Sequence, residues 1–211
     1  MSGTCETTSG GVLAAHYNPH STQRPGEYPR VNSRARTISG ASFRKAMAHV
    51  AAPVSVVTTL SAGTAYGTTV SAFLSLSMHP PMVLISLDAG SNLLAALKPG
   101  SPLGVNVLGD GQGAIARHFA TKSENKFEGI LWQSEAGAPR LPELHVWIAG
   151  RVAEITPAGD HMLVLVNVEE ADPGRGSPLT YWSGVFGTHS APWASSCLEP
   201  SHETTHHGDM N

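Results

Sequence analysis

The stretch "HVWIAGRVAEITPAGDHMLVLVNVEEA", residues 145–171, constrains the fold more than any other part of the chain. It reads as two strands around a Gly159-Asp160 turn, and a tight turn of this kind joins antiparallel neighbours. Earlier segments repeat the pattern at shorter length. "VSVVTTL" reads as a strand, "SAGTAYG" as a polar turn and "TTVSAFLSL" as a second strand. "MVLISLD" is continuous enough to be buried on both faces, "PLGVNVL" is another strand, and "PLTYWSGVFG" is expected to close the sheet. Three short helices interrupt them. "SGASFRKAMAHV" offers Ser39 or Ser42 as N-cap, sets Phe43, Met47 and Val50 on one face, and is stopped by Pro53. "SNLLAALKPG" starts at Ser91 or Asn92 with Gly100 beyond its end, and "GAIARHFAT" is the third. Many strands joined by hairpins, with few and short helices, make the fold mainly β, a small barrel rather than a doubly wound sheet.

Composition sets the remaining limits. The chain has 211 residues, 41% hydrophobic and 14% charged, enough for one domain with its own core. Residues 1–38, rich in Ser, Thr, Gly, Pro, Arg and His, read as a flexible N-terminal extension, and residues 191–211 as a flexible tail around a domain at 39–190. His202, His206 and His207 in the tail are either exposed polar residues or metal ligands; no cysteine or carboxylate set completes a site around them. Cys5 and Cys197 form no ligand-spaced pair, which fits a reducing compartment. A net charge of −3 and 6% aromatic residues give neither the electrostatic nor the stacking basis for nucleic-acid binding. The start lacks a basic n-region and no run approaches the ~20 apolar residues of a membrane span, so a cytoplasmic protein is expected.

"GDGQGA", Gly109–Ala114, satisfies the spacing of a dinucleotide-binding glycine loop. The residues that follow it are polar and punctuated by Gly and Pro, without the second buried strand and terminal acid that such a fold needs. No nucleophile elbow, zinc motif or P-loop occurs. The stretch "GTTVSAFLSLS" is the more informative one. Alternation in a strand puts Thr69, Ser71 and Phe73 on one face and Thr68, Val70 and Ala72 on the other. Its small hydroxyl residues either serve β-propensity with locally satisfied hydroxyls, or keep a surface low and polar for a flat heteroaromatic ring. Ser91-Asn92 either caps a helix or meets a phosphate there. The histidine of "GDH", His161, is structural or a nucleotide contact.

In order, "FRKAMAHVAAPVSVVTT", "YGTTVSAFLSLSMHPPMVLISLD", "SNLLAALKPGSPLGVNVL", "ARHFATKSENKF", "GDHMLVLVNVEEA" and "PLTYWSGVFG" resemble the short-chain flavin reductases of two-component monooxygenases, over roughly residues 42–187. The resemblance implies a flavin-binding split β-barrel, usually a homodimer, that uses NADH or NADPH to reduce FMN or FAD. The reduced flavin would diffuse to a separate monooxygenase component. By position, Thr68, Thr69, Val70, Ser71 and Ala72 match the flavin-ring strand, and Ser75 the hydroxyl residue near its end. Ser91 and Asn92 fall in the flavin-phosphate loop, and Phe119, Lys126 and Phe127 match a segment near the flavin. His161 matches a nicotinamide-nucleotide contact and Tyr181 an aromatic position near the closing strand. The phosphate loop, "AGSN", lacks the arginine or lysine many such proteins carry, so phosphate binding there would lean on backbone N–H groups. Hydride transfer between cofactors needs orientation rather than a protein nucleophile, which accounts for the missing triad and metal motifs. Arg151 and Arg175 are candidates for a 2′-phosphate contact. Two other readings of the same barrel are a non-catalytic flavin- or haem-binding protein and an oxidase acting in its own pocket.

Overall fold

The computed structural model describes residues 38–189, so the expectations for both termini, including Cys5, Cys197 and the tail histidines, lie outside the described residues. In chain order the first half comprises α1 (Gly40–Met47), β1 (Ala52–Pro53), β2 (Ser55–Ser61), β3 (Thr64–Val70), β4 (Phe73–Met78), β5 (Pro81–Asp88), α2 (Asn92–Ala95) and β6 (Pro102–Val107). The second half comprises α3 (Gly113–Phe119), β7 (Gln133–Glu135), β8 (Ala138–Arg140), β9 (Val146–Ala158), β10 (His161–Pro173), β11 (Leu179–Trp182) and β12 (Val185–Thr188).

Seven strands form one sheet in the order β3-β2-β6-β9-β10-β5-β4, and every ladder within it is antiparallel. Its two edge strands, β3 and β4, are consecutive in the chain and separated only by Ser71 and Ala72. Two residues span at most about 7 Å, so the sheet must curl until its edges meet. No β3–β4 ladder closes that seam among the described strands; the Ser86 amide, donating to the Ala72 carbonyl at 2.9 Å, anchors the crossing to β5. The result is a split barrel. β9 and β10 are its longest strands, paired from Ala158–His161 across a two-residue loop whose first residue, Gly159, has φ +69°. Glycine at that position is what a turn of this length requires.

The barrel has a core on each side of its wall. Val57, Val105, Ile85 and Val164 pack inside it, while Val56, Trp147, Phe119 and Leu179 pack on the outer face beneath α3 and β11. β2 and β6 are therefore buried on both sides. A polar cluster pins the β7–β8 hairpin to that outer face. Asn106 Nδ2 donates to the carbonyls of Val56 and Pro139, and its Oδ1 accepts from the Leu141 amide at 2.8 Å.

The structure departs from the sequence-based expectations in four places. "TTVSAFLSL" is two strands, because the chain leaves one sheet edge at Ser71 and enters the other at Phe73. β5 alternates, with Val83, Ile85 and Leu87 buried and Met82, Leu84 and Ser86 only half-buried, because no layer fully covers its outer side. "PLTYWSGVFG" does not close the barrel; β11 and β12 form a separate three-stranded sheet with β1. α1 ends at Met47, six residues before Pro53, and Phe43, Met47 and Val50 are exposed.

Candidate functional site

β3 lies at the sheet edge, so about half of its backbone N–H and C=O groups point away from β2. An open cleft of about 870 Å³ runs along that edge, within the size range of small-molecule and cofactor sites. Three segments wall it: β3 from Thr64 to Thr68, the turn after β5 from Asp88 to Leu93, and the segment after α3 from Ala120 to Lys126.

Of the sequence-predicted residues, the fold brings Thr68, Ser91, Asn92 and Lys126 together in these walls. Register explains why Thr68 and not Thr69 faces the cleft. Thr68 stands opposite Val57, whose side chain is on the inner side of the sheet, whereas Thr69 stands opposite Val56 on the outer side. The Thr69 hydroxyl there donates to the Ala116 carbonyl of α3 at 2.7 Å. Its local satisfaction is the ordinary strand role, and the polar face expected from Thr69, Ser71 and Ser75 does not form one surface. Val70 is buried in the inner core. Ser71, Ala72 and Ser75 are exposed at the seam and on β4, outside the cleft walls.

Phe119 and Phe127 support β3 from the outer side. Phe119 is fully buried, its ring meets that of Phe127 edge-on at 5.0 Å, and both press against Gly67. A Cβ on Gly67 would come within 2.9 Å of Phe119, so this close approach admits only glycine without a shift. Phe119 thus reaches the cleft only through the strand it carries. Lys126 is locked by two bonds: its Nζ donates to the Phe119 carbonyl at 2.9 Å, and its own carbonyl lies 2.6 Å from His118 Nε2. Burial holds the Lys126 ammonium below the usual lysine range.

His161 opens β10 directly opposite Asp88, a cleft residue, and is itself partly exposed at the rim. Its Nδ1 lies 2.7 Å from Asp160 Oδ1, and this hydrogen bond and charge hold the Asp160 carboxyl below its ordinary range. With Nδ1 engaged by Asp160, Nε2 is the ring nitrogen left for another partner. Tyr181 is in the separate sheet, 40% exposed, packing on Phe186 at 5.4 Å and away from the cleft walls. Arg151 pairs with Glu169 at 3.3 Å and stands seven positions along β9 from the partner of His161, roughly 20 Å. Arg175 follows β10 at the same far end. Neither arginine is positioned beside His161. The glycine loop at Gly109 is closed by its own side chain, Gln112 Oε1 accepting from the Gly109 amide at 2.8 Å, and β6 before it is antiparallel to both neighbours.

Sequence reasoning missed Tyr66, Asp88 and Lys122 as cleft residues. Tyr66 was hidden in what reads as a turn, and only the register of β2 and β3 reveals it. The donor set suits a phosphorylated ring compound: threonine and serine hydroxyls, an unpaired strand edge, and a lysine without a carboxylate partner among the described ion pairs.

Fold and cleft together define a split-barrel protein with an open cleft at the edge of its main sheet. The chain belongs to the family described as the flavin reductase like domain, whose model matches residues 47–190. It is 34% identical over 167 residues to the reductase component of 4-nitrophenol 4-monooxygenase/4-nitrocatechol 2-monooxygenase from Rhodococcus opacus, covering 79% of this chain and 90% of that protein. It is 36% identical over 154 residues to the NADH:riboflavin 5′-phosphate oxidoreductase of Streptomyces pristinaespiralis, covering 70% and 86%. Among solved structures it is similar to the NADH:FAD oxidoreductase SgcE6 of Streptomyces globisporus in complex with NAD and FAD fragments, with TM-score 0.67, 28% identity, and 76% and 99% of the two chains covered.

Proposed function

We propose that this chain is an NADH:flavin oxidoreductase that reduces FMN or FAD and supplies reduced flavin by diffusion to a separate monooxygenase component. The observation that carries the reading is the cleft itself. Three segments distant in sequence, each implied by the resemblance, contribute Thr68, Ser91, Asn92 and Lys126 to one surface. A flavin held there would supply the redox chemistry, as acceptor of a hydride from reduced nicotinamide. The protein's part is positioning. The β3 edge offers backbone donors and acceptors, Thr68 adds a hydroxyl, and the Phe119–Phe127 pair keeps the strand from yielding. His161, oriented by Asp160, presents its Nε2 at the rim for the nicotinamide nucleotide. The binder reading of the same barrel is not favoured, because the relatives are named as oxidoreductases and reductase components.

The working form is a homodimer in the cytoplasm, where reduced nicotinamide is made. Supporting the dimer, α1 buries none of its residues in its own protomer although Phe43, Met47 and Val50 make one face apolar. Nearby Trp182 and Val185, paired across β11 and β12, are 54% and 65% exposed. No helix among the described residues is long and apolar enough to cross a membrane.

Steady-state kinetics of His161→Ala test the residue assignment. The expected result is a raised KM for NADH with flavin affinity nearly unchanged. Unchanged kcat and KM for NADH would remove His161 from the site.

A further inference from the structure

The cleft wall that follows α3, residues 120–126, has little to hold it along its length. The Thr121 amide and hydroxyl both donate to the His118 carbonyl, at 3.2 and 2.8 Å, and finish the turn that ends α3. Beyond it Lys122, Ser123 and Glu124 are exposed and make no hydrogen bond among the described residues. The Asn125 carbonyl accepts the Glu128 amide at 3.2 Å, and Phe127 between them packs back onto the outer core. Among the described bonds, none joins residues 121–125 to β3 or to the turn after β5, the other two walls. A segment so exposed and so sparsely bonded belongs to the part of a fold that opens most readily.

Its two ends are held by each other. His118 Nε2 lies 2.6 Å from the Lys126 carbonyl, and a carbonyl only accepts, so the ring carries a hydrogen on Nε2 and donates it. Lys126 Nζ returns a bond to the Phe119 carbonyl at 2.9 Å. Each end thus grips the backbone of the other through a side chain, and the two bonds close the segment into a ring. The residues beside the grips, Phe119 and Phe127, meet edge-on at 5.0 Å and press on Gly67 of β3. The same clasp therefore ties the wall to the aromatic pair that supports the strand edge. His118 is half-buried and lies outside the cleft walls, so it acts on the cleft only through what it holds.

We propose that His118 is a positioning residue, whose Nε2–H bond to the Lys126 carbonyl clasps residues 120–126 shut and thereby keeps the third wall of the cleft in place for its ligand. The effect on binding rests on the reading of the cleft as a flavin site; the clasp itself does not. Glutamine reproduces the bond, because its Nε2 sits at nearly the same distance from the backbone as the histidine Nε2 and also donates. Asparagine is one methylene too short to reach.

Limited trypsin digestion of the full chain, read by mass spectrometry at the Lys122–Ser123 bond, reports the wall directly, and cleavage after Lys45 on the exposed α1 serves as the control. Cleavage through a rapid local opening follows the population of the open form. His118→Ala is therefore expected to speed cleavage after Lys122 by about fivefold or more, with cleavage after Lys45 unchanged. Fluorescence titration of the same protein with FMN should show affinity weakened by about fivefold or more. His118→Gln should return both readings to within about twofold of the wild type, and His118→Asn should not. Equal cleavage after Lys122 in the wild type and His118→Ala overturns the clasp. Faster cleavage with unchanged FMN affinity overturns the positioning role. So does a His118→Gln protein that behaves as the alanine variant, or cleavage that rises as much after Lys45 as after Lys122, which marks a general loss of stability. A wild type that binds no flavin removes the proposed function and the effect on binding with it, while the cleavage rates still decide whether the clasp holds the wall.

Discussion

Asn106→Leu isolates the contribution of one buried polar cluster to the frame behind the site. Asn106 is fully buried on β6, donates to Val56 and Thr58 of β2 and to Pro139 of β8, and accepts from the Leu141 amide. Leucine has the same branched shape and is somewhat larger, so no cavity opens and the cost is chiefly that of the hydrogen bonds. The Pro139 carbonyl keeps a second donor, the Thr58 hydroxyl at 2.7 Å, but the Leu141 amide loses its side-chain acceptor. Stranding a buried donor costs about 1–3 kcal/mol, and each other lost bond about 1 kcal/mol net. The expected destabilisation is about 5 kcal/mol. For a domain of this size that lowers the melting temperature by roughly 10–20 °C. Urea denaturation measures it directly, with the midpoint falling and the slope unchanged. A leucine variant within about 0.5 kcal/mol of the wild type would refute the reasoning, since desolvating the amide would then have cancelled everything its bonds return.

Three further outcomes follow from named contacts. Gly67→Ala should destabilise the fold by about 1–3 kcal/mol, because its Cβ presses on the buried ring of Phe119 and also on Phe127; a neutral change in a melting curve would mean that the rings yield freely. Phe43→Glu together with Met47→Glu should convert a dimer to monomer in light scattering after size exclusion, at unchanged secondary structure, since both side chains are exposed in the protomer. A variant that stays dimeric would move the interface away from α1. The Asp160 carboxyl is held low by His161, so that interaction is present above the ordinary carboxylate range and is lost as pH falls through the lowered value. His161→Ala should raise the carboxyl back toward that range in a carbon NMR titration, and no movement would dissolve the pair.

Much of the sheet was legible because its inner strands carry β-branched runs that must be buried wherever they pair. The turns were less so. The β2–β3 loop is only Ala62-Gly63, both at positive φ, and the β7–β8 and β11–β12 loops are built the same way with Ala136-Gly137 and Ser183-Gly184. Such turns announce themselves as Asn-Gly or Asp-Gly; with alanine or serine first, the signal shrinks to a lone glycine. "SAGTAYG" therefore read as one long turn, and Tyr66 was lost from the site. The Thr/Ser stretch stands out in the sequence, but its orientation does not. The register of β3 on β2, with the Thr69 hydroxyl donating to the Ala116 carbonyl of α3, decides which alternate residues are left for the cleft. Lys126 was found through the resemblance, while its want of a counter-charge is a tertiary fact, set by which carboxylates fold near it.

The most direct test of the central claim is the anaerobic reduction of free FMN or FAD by NADH in the presence of catalytic amounts of the full chain. The account predicts that flavin absorbance bleaches in step with nicotinamide oxidation, at a rate proportional to protein. No acceleration over the protein-free mixture, with either flavin and with either NADH or NADPH, would contradict it.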